Sequence, residues 1–277
     1  MTHTDNHFPD HTTEAARTSK VAFLGIGNMA EAIMAGALRG GLDPRAVQAT
    51  ARHRDRLDRI AGQYGVDTTT SNPEAVAGAD LIVVGVEPEQ VGGVLDEIAD
   101  TVPDTSVVVS LAGGVSTADL ETHLPESTAV VRVMPNTPAL AGAGMAGLTP
   151  GAHCTEDQLQ QVAEFFALSG EVIVVPEEQQ SAVGALSGSG PAHLFYVVDA
   201  MIEAGVTLGL RREVAHRLAV QTIVGAGALL QDTGEHPVLL RERVSSPGGT
   251  TIAALGELDN RAVRAAFVSA ITGRFRP

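Results

Sequence analysis

The feature that most constrains this chain is a glycine-rich loop that joins a short apolar run to a helical stretch. The run VAFLG at residues 21–25 leads directly into GIGNMA, which places Gly25, Gly27 and Ala30 at the spacing of a dinucleotide-binding turn. The first glycine of such a turn permits the sharp bend, the second lets the backbone approach a pyrophosphate, and the small third residue lets helix and strand pack closely. Because the free amides of the next helix point at the phosphates, the pattern predicts a nucleotide-binding βαβ unit.

Short β-branched runs alternate with helical stretches up to about residue 176. Buried strands are predicted at 21–25, 47–50, 81–86, 106–111, 129–134 and 171–175. Helical spacing is found at 30–38, 54–64 and 89–99. This alternation is typical of a parallel sheet covered on both faces, so we expect a doubly wound α/β (Rossmann) dinucleotide-binding domain over residues 21–176.

Beyond residue 176 the strand pattern stops and apolar helical stretches follow. The predicted helices are at 191–209, 211–231, 235–243, 250–258 and 260–273. The stretch from Leu194 to Leu230 is apolar on more than one face, which indicates burial against another chain. We therefore expect residues 177–277 to form an all-helical dimerisation and substrate domain of an obligate homo-oligomer.

Composition argues against several classes of partner and of site. The formal net charge of −15 repels phosphate backbones and acidic lipid surfaces, so we expect neither nucleic acid nor a membrane as a partner. Cys154 is the single cysteine, which excludes an intrachain disulfide and fits a reducing cytoplasm. The histidines are scattered, and no metal site is expected. Residues 1–20 are polar and lack the apolar run of a secretion signal, so we interpret them as a disordered tail.

The end of the second predicted strand indicates which dinucleotide binds. Enzymes that use NAD place an acid about 20 residues after the glycine loop to hold the ribose hydroxyls. Here the strand ends in Thr50, Ala51, Arg52, His53 and Arg54. The guanidinium groups of Arg52 and Arg54 favour a 2′-phosphate and therefore NADPH, with NADH as the other option. The alternative is that these charges face solvent at the start of the next helix.

Three further motifs accompany the glycine loop: MPNTP at 134–138, SGSGPA at 187–192 and SSPGGTTIAAL at 245–255. With these four motifs in this order, the chain resembles the pyrroline-5-carboxylate reductase family from Val21 onward. The resemblance implies NADPH-dependent reduction of the cyclic imine 1-pyrroline-5-carboxylate to L-proline, the last step of proline biosynthesis. It also implies a helical domain interleaved with that of a second subunit, in a homodimer or in a decamer built from dimers.

The resemblance implies cofactor contacts at residues that follow the predicted strands. They are Gly25, Ile26, Gly27, Asn28, Met29, Ala30, Asn72, Val86, Glu87, Pro88, Leu111, Ala112, Gly113, Asn136 and Glu177. Glu87 departs from the family, which usually has Lys before this proline, so only backbone contacts carry over at that position. A second departure precedes SGSGPA, where the usual Asp-Ala-Val-Thr is Ser-Ala-Val-Gly at residues 181–184.

For the substrate, the resemblance implies a pocket at the subunit interface. In it the loop from Ser246 to Thr251 grips the carboxylate, and Thr251 is hydrogen-bonded to the ring nitrogen as the catalytic residue. The residues agree with such a loop, because Gly248 and Gly249 bare the backbone amides and the helix that starts at Thr250 adds its dipole. The alternative is a plain Pro-Gly-Gly turn with a capping threonine.

Three other functions compete with this interpretation. A β-hydroxyacid dehydrogenase begins with a similar loop but relies on a catalytic lysine, and the sole lysine here, Lys20, precedes the first strand. A non-catalytic NADPH-binding regulatory protein would keep the loop without the reaction. A reductase of a related cyclic imine would keep both the glycine loop and the hydride-transfer reaction, with a different substrate.

Overall fold

The computed structural model describes residues 14–273 and divides them into two compact units, with the boundary between Ser189 and Gly190. In the described chain the last strand ends before residue 176, as the sequence predicts. The segment from 177 to 189 packs with the first unit.

One eight-stranded sheet forms the centre of the first unit. Its strands are β1 (Val21–Leu24), β2 (Val47–Thr50), β3 (Asp67–Thr69), β4 (Leu81–Val84), β5 (Val107–Ser110), β6 (Ala129–Met134), β7 (Gly144–Pro150) and β8 (Gly170–Val174). Their order is β3-β2-β1-β4-β5-β6-β7-β8, and every neighbouring pair is parallel except β6 and β7. The direction of winding therefore reverses between β1 and β4, where doubly wound proteins bind their ligands.

Helices and turns connect these strands. The α-helices of the first unit are α1 (Glu14–Thr18), α2 (Asn28–Arg39), α3 (Arg54–Tyr64), α4 (Asn72–Val76), α5 (Val91–Ile98), α6 (Thr117–Glu121), α7 (Glu156–Ala167) and α8 (Gln180–Val183). Short 3-10 turns lie at Pro44–Ala46, Pro88–Gln90, Thr137–Ala141 and Glu177–Gln179, and one π-helical turn lies at Gly184–Gly188.

The two faces of the sheet carry separate hydrophobic cores, because successive residues of a strand point in opposite directions. On β4, Leu81 and Val83 point into the core beneath α2, α3 and α7. Ile82 and Val84 point into the core beneath α4, α5 and α6. All four side chains are fully buried. Helices thus cover both faces, which confirms the predicted α/β class.

The second unit consists of helices alone. They are α9 (Gly190–Thr207), α10 (Arg212–Thr233), α11 (Pro237–Arg243), α12 (Thr250–Asn260) and α13 (Val263–Thr272). Among the described residues, the fully packed core of this unit is small and centres on Ile202, Ala215 and Ala219. Many large apolar side chains of the unit are exposed in the single chain: Leu194, Phe195, Tyr196, Leu208, Leu218, Val224, Leu229, Ile252 and Val268.

The structure contains elements that the sequence pattern does not predict. β3 is three polar residues long, and β7 contains two glycines and a proline, so neither shows a continuous β-branched run. α7 does have a local signal, since Thr155 and Gln158 form a capping box ahead of an apolar helix face. α4 and α6 are only five residues each.

The N-terminal prediction is wrong for the part of it that the structure describes. Residues 14–18, which the sequence assigns to a disordered tail, form α1, and the side chain of Ala16 is buried. The next residues are held as well, because the backbone N–H of Lys20 donates to Asp80 Oδ2 over 2.8 Å. Residues 1–13 lie outside the described part of the chain. No helix within residues 14–273 has both the length and the apolar character that crossing a membrane requires.

Replacing Gly36 in α2 by alanine should destabilise the protein. An added Cβ would overlap the carbonyl oxygen of Ala139 and lie 2.7 Å from Cβ of Ser169, so helix or backbone would have to move. We expect a loss of about 1–3 kcal/mol in the free energy of unfolding, measured by urea denaturation. Gly62→Ala in α3 is the matched control, since a Cβ there meets nothing within 4 Å. It should stabilise by about 0.4–1 kcal/mol, and equal losses in both variants would contradict the packing described.

Candidate functional site

The glycine loop is shaped by close backbone contacts at the end of β1. Gly25 has φ = +76°, a left-handed conformation that favours glycine, and a Cβ there would overlap the side chain of Val86. A Cβ on Gly85 would lie 2.6 Å from Cβ of Ala30 and 2.9 Å from the carbonyl oxygen of Gly25. Side chains at positions 25 and 85 would therefore fill the space beside the loop. Because Gly25 and Gly85 have none, that space stays open as a cradle that fits a dinucleotide.

The start of α2 supplies the anion-binding groups of this cradle. Gly27 is the N-cap, and the first helical hydrogen bond runs from the N–H of Glu31 to the carbonyl oxygen of Gly27 over 2.9 Å. By helix geometry the amides of Asn28, Met29 and Ala30 precede that bond and are the donors available to a phosphate.

A cleft of about 510 Å³ opens beside the loop, at the carboxyl ends of β1, β2 and β4. This is the crevice in which doubly wound folds bind nucleotides. The predicted cofactor residues that line it are Gly25, Ile26, Gly27, Arg52, Asn72, Val86 and Glu87. It is also lined by residues that the sequence does not single out: Thr50, Ala51, His53, Arg56, Thr70, Gly85, Gln90, Gly93, Val94 and Glu97.

A chain of hydrogen bonds orients Asn72 within the cleft. The N–H of Gly25 donates to Thr50 Oγ1 over 3.1 Å, so the single proton of that hydroxyl is left for Asn72 Oδ1, at 2.7 Å. Asn72 Nδ2 in turn donates to Glu97 Oε2 over 2.8 Å. Thr50 is almost fully buried. The carboxamide of Asn72 therefore has one defined orientation, with its donors on the side of Glu97.

A cluster of charges joins α2 to α3 at the rim of the cleft. Glu31 accepts two hydrogen bonds from Arg59, at 2.8 and 2.6 Å, one from the hydroxyl of Tyr64 at 3.1 Å, and one from Arg56 Nη2 at 3.3 Å. The bonds from Arg59, the largest cause, and from Tyr64 hold the pKa of Glu31 below its usual range although burial opposes them. Burial, and then the hydrogen bond to Glu31, raise the pKa of Tyr64.

The structure separates the arginines near the end of β2. Arg52 lines the cleft, and its contact with a 2′-phosphate stays a prediction. Arg54, the first residue of α3, is exposed and is not among the residues that line the cleft within the described chain. Arg56, which the sequence does not single out, does line it. Helical geometry accounts for this, because residues two apart on a helix do not share a face.

The side chain of Asn136 is held by protein groups. Its Nδ2 donates to Ser187 Oγ over 3.1 Å and to Ser187 O over 3.3 Å, and its Oδ1 accepts from the N–H of Met145 over 2.9 Å. The carboxamide thus ties the turn after β6 to the start of β7 and to the π-helical turn at Gly184–Gly188. A contact between Asn136 and the cofactor stays a prediction.

Glu177 also bonds to the protein, beside the loop that follows β5. Its Oε2 accepts from the N–H and the hydroxyl of Thr117, at 3.2 and 3.0 Å, and its Oε1 pairs with the buried Arg132. Because Thr117 begins α6, Glu177 fixes the end of the segment 111–116. Within that segment Leu111 and Ala112 are buried and Gly113 is exposed.

In the second unit, the predicted substrate loop has the local geometry of an anion cradle. Gly248 has φ = +69°, and the N–H of Gly249 donates to the carbonyl oxygen of Ser246 over 3.0 Å, which closes the turn. Gly249 is the N-cap of α12 and receives the first helical hydrogen bond, so the amides of Thr250 and Thr251 precede the helical ladder. No side chain caps this helix start, which leaves those donors to a ligand.

Within residues 14–273, no three His, Cys, Asp or Glu side chains are grouped as metal ligands would be. Burial raises the pKa of the Cys154 thiol to about 11, so the thiol is protonated at neutral pH.

Known protein families match both parts of the chain. The family model described as pyrroline-5-carboxylate reductase dimerisation matches residues 177–275, and the one described as NADP oxidoreductase coenzyme F420-dependent matches residues 20–114. Pyrroline-5-carboxylate reductase of Corynebacterium melassecola is 41% identical over 253 residues, which cover 90% of this chain and 94% of the relative.

Two solved structures of pyrroline carboxylate reductases are also similar to this chain. The structure of a pyrroline-5-carboxylate reductase from Coxiella burnetii has 38% sequence identity and a TM-score of 0.84, covering 92% of this chain and 96% of that one. The Plasmodium falciparum pyrroline carboxylate reductase with NADP bound has 26% identity and a TM-score of 0.83, covering 93% and 95%. The chain therefore belongs to the pyrroline-5-carboxylate reductase family.

Proposed function

We propose that this protein reduces 1-pyrroline-5-carboxylate to L-proline, with NADPH as the hydride donor and NADH as the weaker substitute. The observation that carries the proposal is the presence of two ligand cradles in one chain of this family. One is the glycine-lined cleft at the switch point of the sheet, which suits a dinucleotide. The other is the Gly248–Gly249 turn at the start of α12, which suits a carboxylate.

The residues of the cleft fit the parts of a dinucleotide. The amides at the start of α2 and the bare backbone of Gly25 and Gly27 would hold the diphosphate, and Arg52 would face a 2′-phosphate. Asn72, oriented through Thr50, would hold the adenosine half. When bound, the cofactor supplies hydride from carbon 4 of its nicotinamide ring. The contacts expected at Pro88, Leu111, Ala112, Gly113, Asn136 and Glu177 remain predictions.

The substrate loop would bind the ring carboxylate and orient the ring nitrogen. Backbone amides at Thr250 and Thr251 supply donors of fixed position, and the dipole of α12 favours the negative charge. A protonated imine is already electrophilic, so the protein has mainly to align the ring and exclude water. The hydroxyl of Thr251 is far too weak an acid to protonate an imine. Its role is therefore to hold the nitrogen, while the proton comes from water.

The helical unit would form a homodimer. Its exposed apolar side chains need a partner surface, and the matching family model for residues 177–275 is one of dimerisation. A decamer of such dimers and a cytoplasmic location are the further expectations that the family resemblance and the single cysteine carry.

One observation favours a second function, that of an NADPH-binding regulator without turnover. Glu87 lines the cleft with a carboxylate where the family usually has lysine, which places a negative group near an anionic cofactor. The intact substrate loop argues for the enzyme.

Catalysis can be tested directly. The purified protein, given 1-pyrroline-5-carboxylate, should consume NADPH, followed by the absorbance of the reduced nicotinamide, and form L-proline in equal amount, measured by chromatography. Consumption with NADH should be slower at equal concentration. Tight NADPH binding without proline formation would instead support the regulatory alternative.

Thr251→Val should lower kcat roughly 10- to 100-fold with little change in NADPH affinity, because the side chain keeps its shape and loses the group that orients the nitrogen. Thr251→Ser is the matched control and should recover most of the rate, since it retains the hydroxyl. Steady-state kinetics, with each substrate varied in turn, shows whether the substitution changes kcat or KM. Wild-type turnover in the valine variant would remove Thr251 from the site.

Size-exclusion chromatography with light scattering, at micromolar concentration, should give a mass of a dimer or a multiple of it. Leu218→Asp on α10, where the side chain is 55% exposed, should reduce that mass because it places a charge in the expected interface. Leu140→Asp, 49% exposed in the first unit, is the matched control and should leave the mass unchanged. A fully active wild-type monomer would contradict the proposed assembly.

A further inference from the structure

Arg56 bridges the starts of two helices at the rim of the cofactor cleft. It lies in the first turn of α3, and its Nη2 approaches Asn28 Oδ1 and Glu31 Oε2 on α2, at 3.5 and 3.3 Å. The side chain is 34% exposed, so part of the guanidinium group reaches the cleft and part is enclosed. Asn28 belongs to the glycine loop motif, which places Arg56 beside the phosphate-binding amides.

The contacts of Glu31 leave Arg56 incompletely neutralised. Arg59 forms a two-pronged pair with Glu31 and makes the shorter bonds, and Tyr64 donates a further hydrogen bond to the same carboxylate. Two guanidinium groups thus share one carboxylate, so the cluster keeps one net positive charge. Of the hydrogen bonds that Glu31 accepts, the one from Arg56 is the longest, at 3.3 Å.

Arg56 also carries an unused donor. Its Nε is buried and has no hydrogen-bond partner among the described residues. A buried N–H without an acceptor is unfavourable, and the enclosed Nε cannot itself reach an anion in the cleft. Glu31 and Asn28 hold the cation through Nη2, and Nη1, which has no hydrogen-bond partner among the described residues, is left for an anion.

We infer that Arg56, positioned by Glu31, is a specificity-determining residue that binds the 2′-phosphate and selects NADPH over NADH. This rests on the proposed function for its cofactor and adds a residue that the sequence pattern does not mark. Arg52 is exposed at the same cleft and has no such tether among the described contacts, so it contributes charge without fixed geometry. Arg54 lies off the cleft.

The test uses binding to the full chain, so that it does not depend on turnover. Isothermal titration calorimetry with 2′,5′-ADP and 5′-AMP reports the contribution of the 2′-phosphate, and titration with NADPH and NADH repeats the comparison on whole cofactors. Arg56→Ala should reduce the preference for the 2′-phosphorylated ligand roughly 10- to 100-fold and leave 5′-AMP affinity within about twofold. Arg56→Lys should lose part of that preference, because it keeps the charge and not the planar guanidinium group that Glu31 and Asn28 hold in place.

Two further variants separate geometry from charge. Arg54→Ala removes the neighbouring arginine that the sequence pattern favours, and its effect on the preference should be at least about tenfold smaller than that of Arg56→Ala. Arg45→Ala removes an exposed arginine paired with Asp43, away from the cleft, and controls for net charge. An equal or larger effect in Arg54→Ala would overturn the inference, as would equal loss of both nucleotides in Arg56→Ala.

The inference and the proposed function fail in different ways. If the protein forms no proline but Arg56→Ala still loses the 2′-phosphate preference, the function fails and the inference stands. If turnover is normal and the ratio of KM for NADH to KM for NADPH is unchanged in Arg56→Ala, the inference fails and the function stands.

Discussion

The nucleotide-binding half of the molecule depends on the contact of α2 with backbone rather than with side chains. Gly85 lies against Ala30 and the carbonyl of Gly25, so the first turn of α2 is brought to the end of β4 with no side chain between them. Further along the same helix, Gly36 and Gly40 lie against the carbonyl oxygens of Ala139 and Leu168. A chain with 30 glycines and 3% aromatic residues can place a helix this close, and the closeness aims the amides of the first turn into the cleft.

The sequence predicts those parts of the structure whose signal is local. Buried strands of the parallel sheet are short runs with apolar and β-branched residues, and the glycine loop is contiguous, so both could be recognised without knowledge of the fold. β7 was missed because its glycines let it pack against Ala139 and the side chain of Val183, and that packing replaces the usual β-branched pattern. Tertiary contacts stabilise such a strand, and no window of sequence contains them.

The same distinction explains which site residues could be predicted. Gly85, Thr50 and Glu97 come to the cleft from different elements, and each matters through a partner distant in sequence. Helix periodicity does not separate Arg56 from Arg54, since Arg54 lies one turn before Leu57 and Arg56 one turn before Ile60 on the buried face of α3. The tether of Arg56 to Glu31 could not be predicted either, because it joins two helices through residues that are 25 positions apart in the sequence.

Some family motifs act on the framework of the site. Asn136 of MPNTP binds Ser187 of SGSGPA, so two motifs far apart in sequence meet in one set of hydrogen bonds. The π-helical turn that this contact holds has an extra residue relative to an α-helical turn, and its Ser189 N–H reaches back to Gly184 O over 2.9 Å. Asn136 therefore fixes the segment from which α9 departs. Glu177 likewise fixes the loop after β5, by accepting hydrogen bonds from Thr117. Both residues therefore hold segments that follow strands of the sheet.

The helical unit, unlike the sheet, buries few of its apolar side chains within the single chain. Its fully buried apolar residues within the described chain are few and mostly small, whereas aromatic and leucine side chains on α9 and α10 face outward. Fixing each residue of a helix costs about 1–2 kcal/mol of backbone entropy, and the fully buried core of this unit offers little apolar area against that cost. Burial of the exposed side chains against a second subunit would supply the missing apolar area at about 25 cal/mol per Å². In the proposed assembly, association and the ordering of α9 and α10 would be one process, and the predicted substrate loop at the start of α12 lies in the same helical unit.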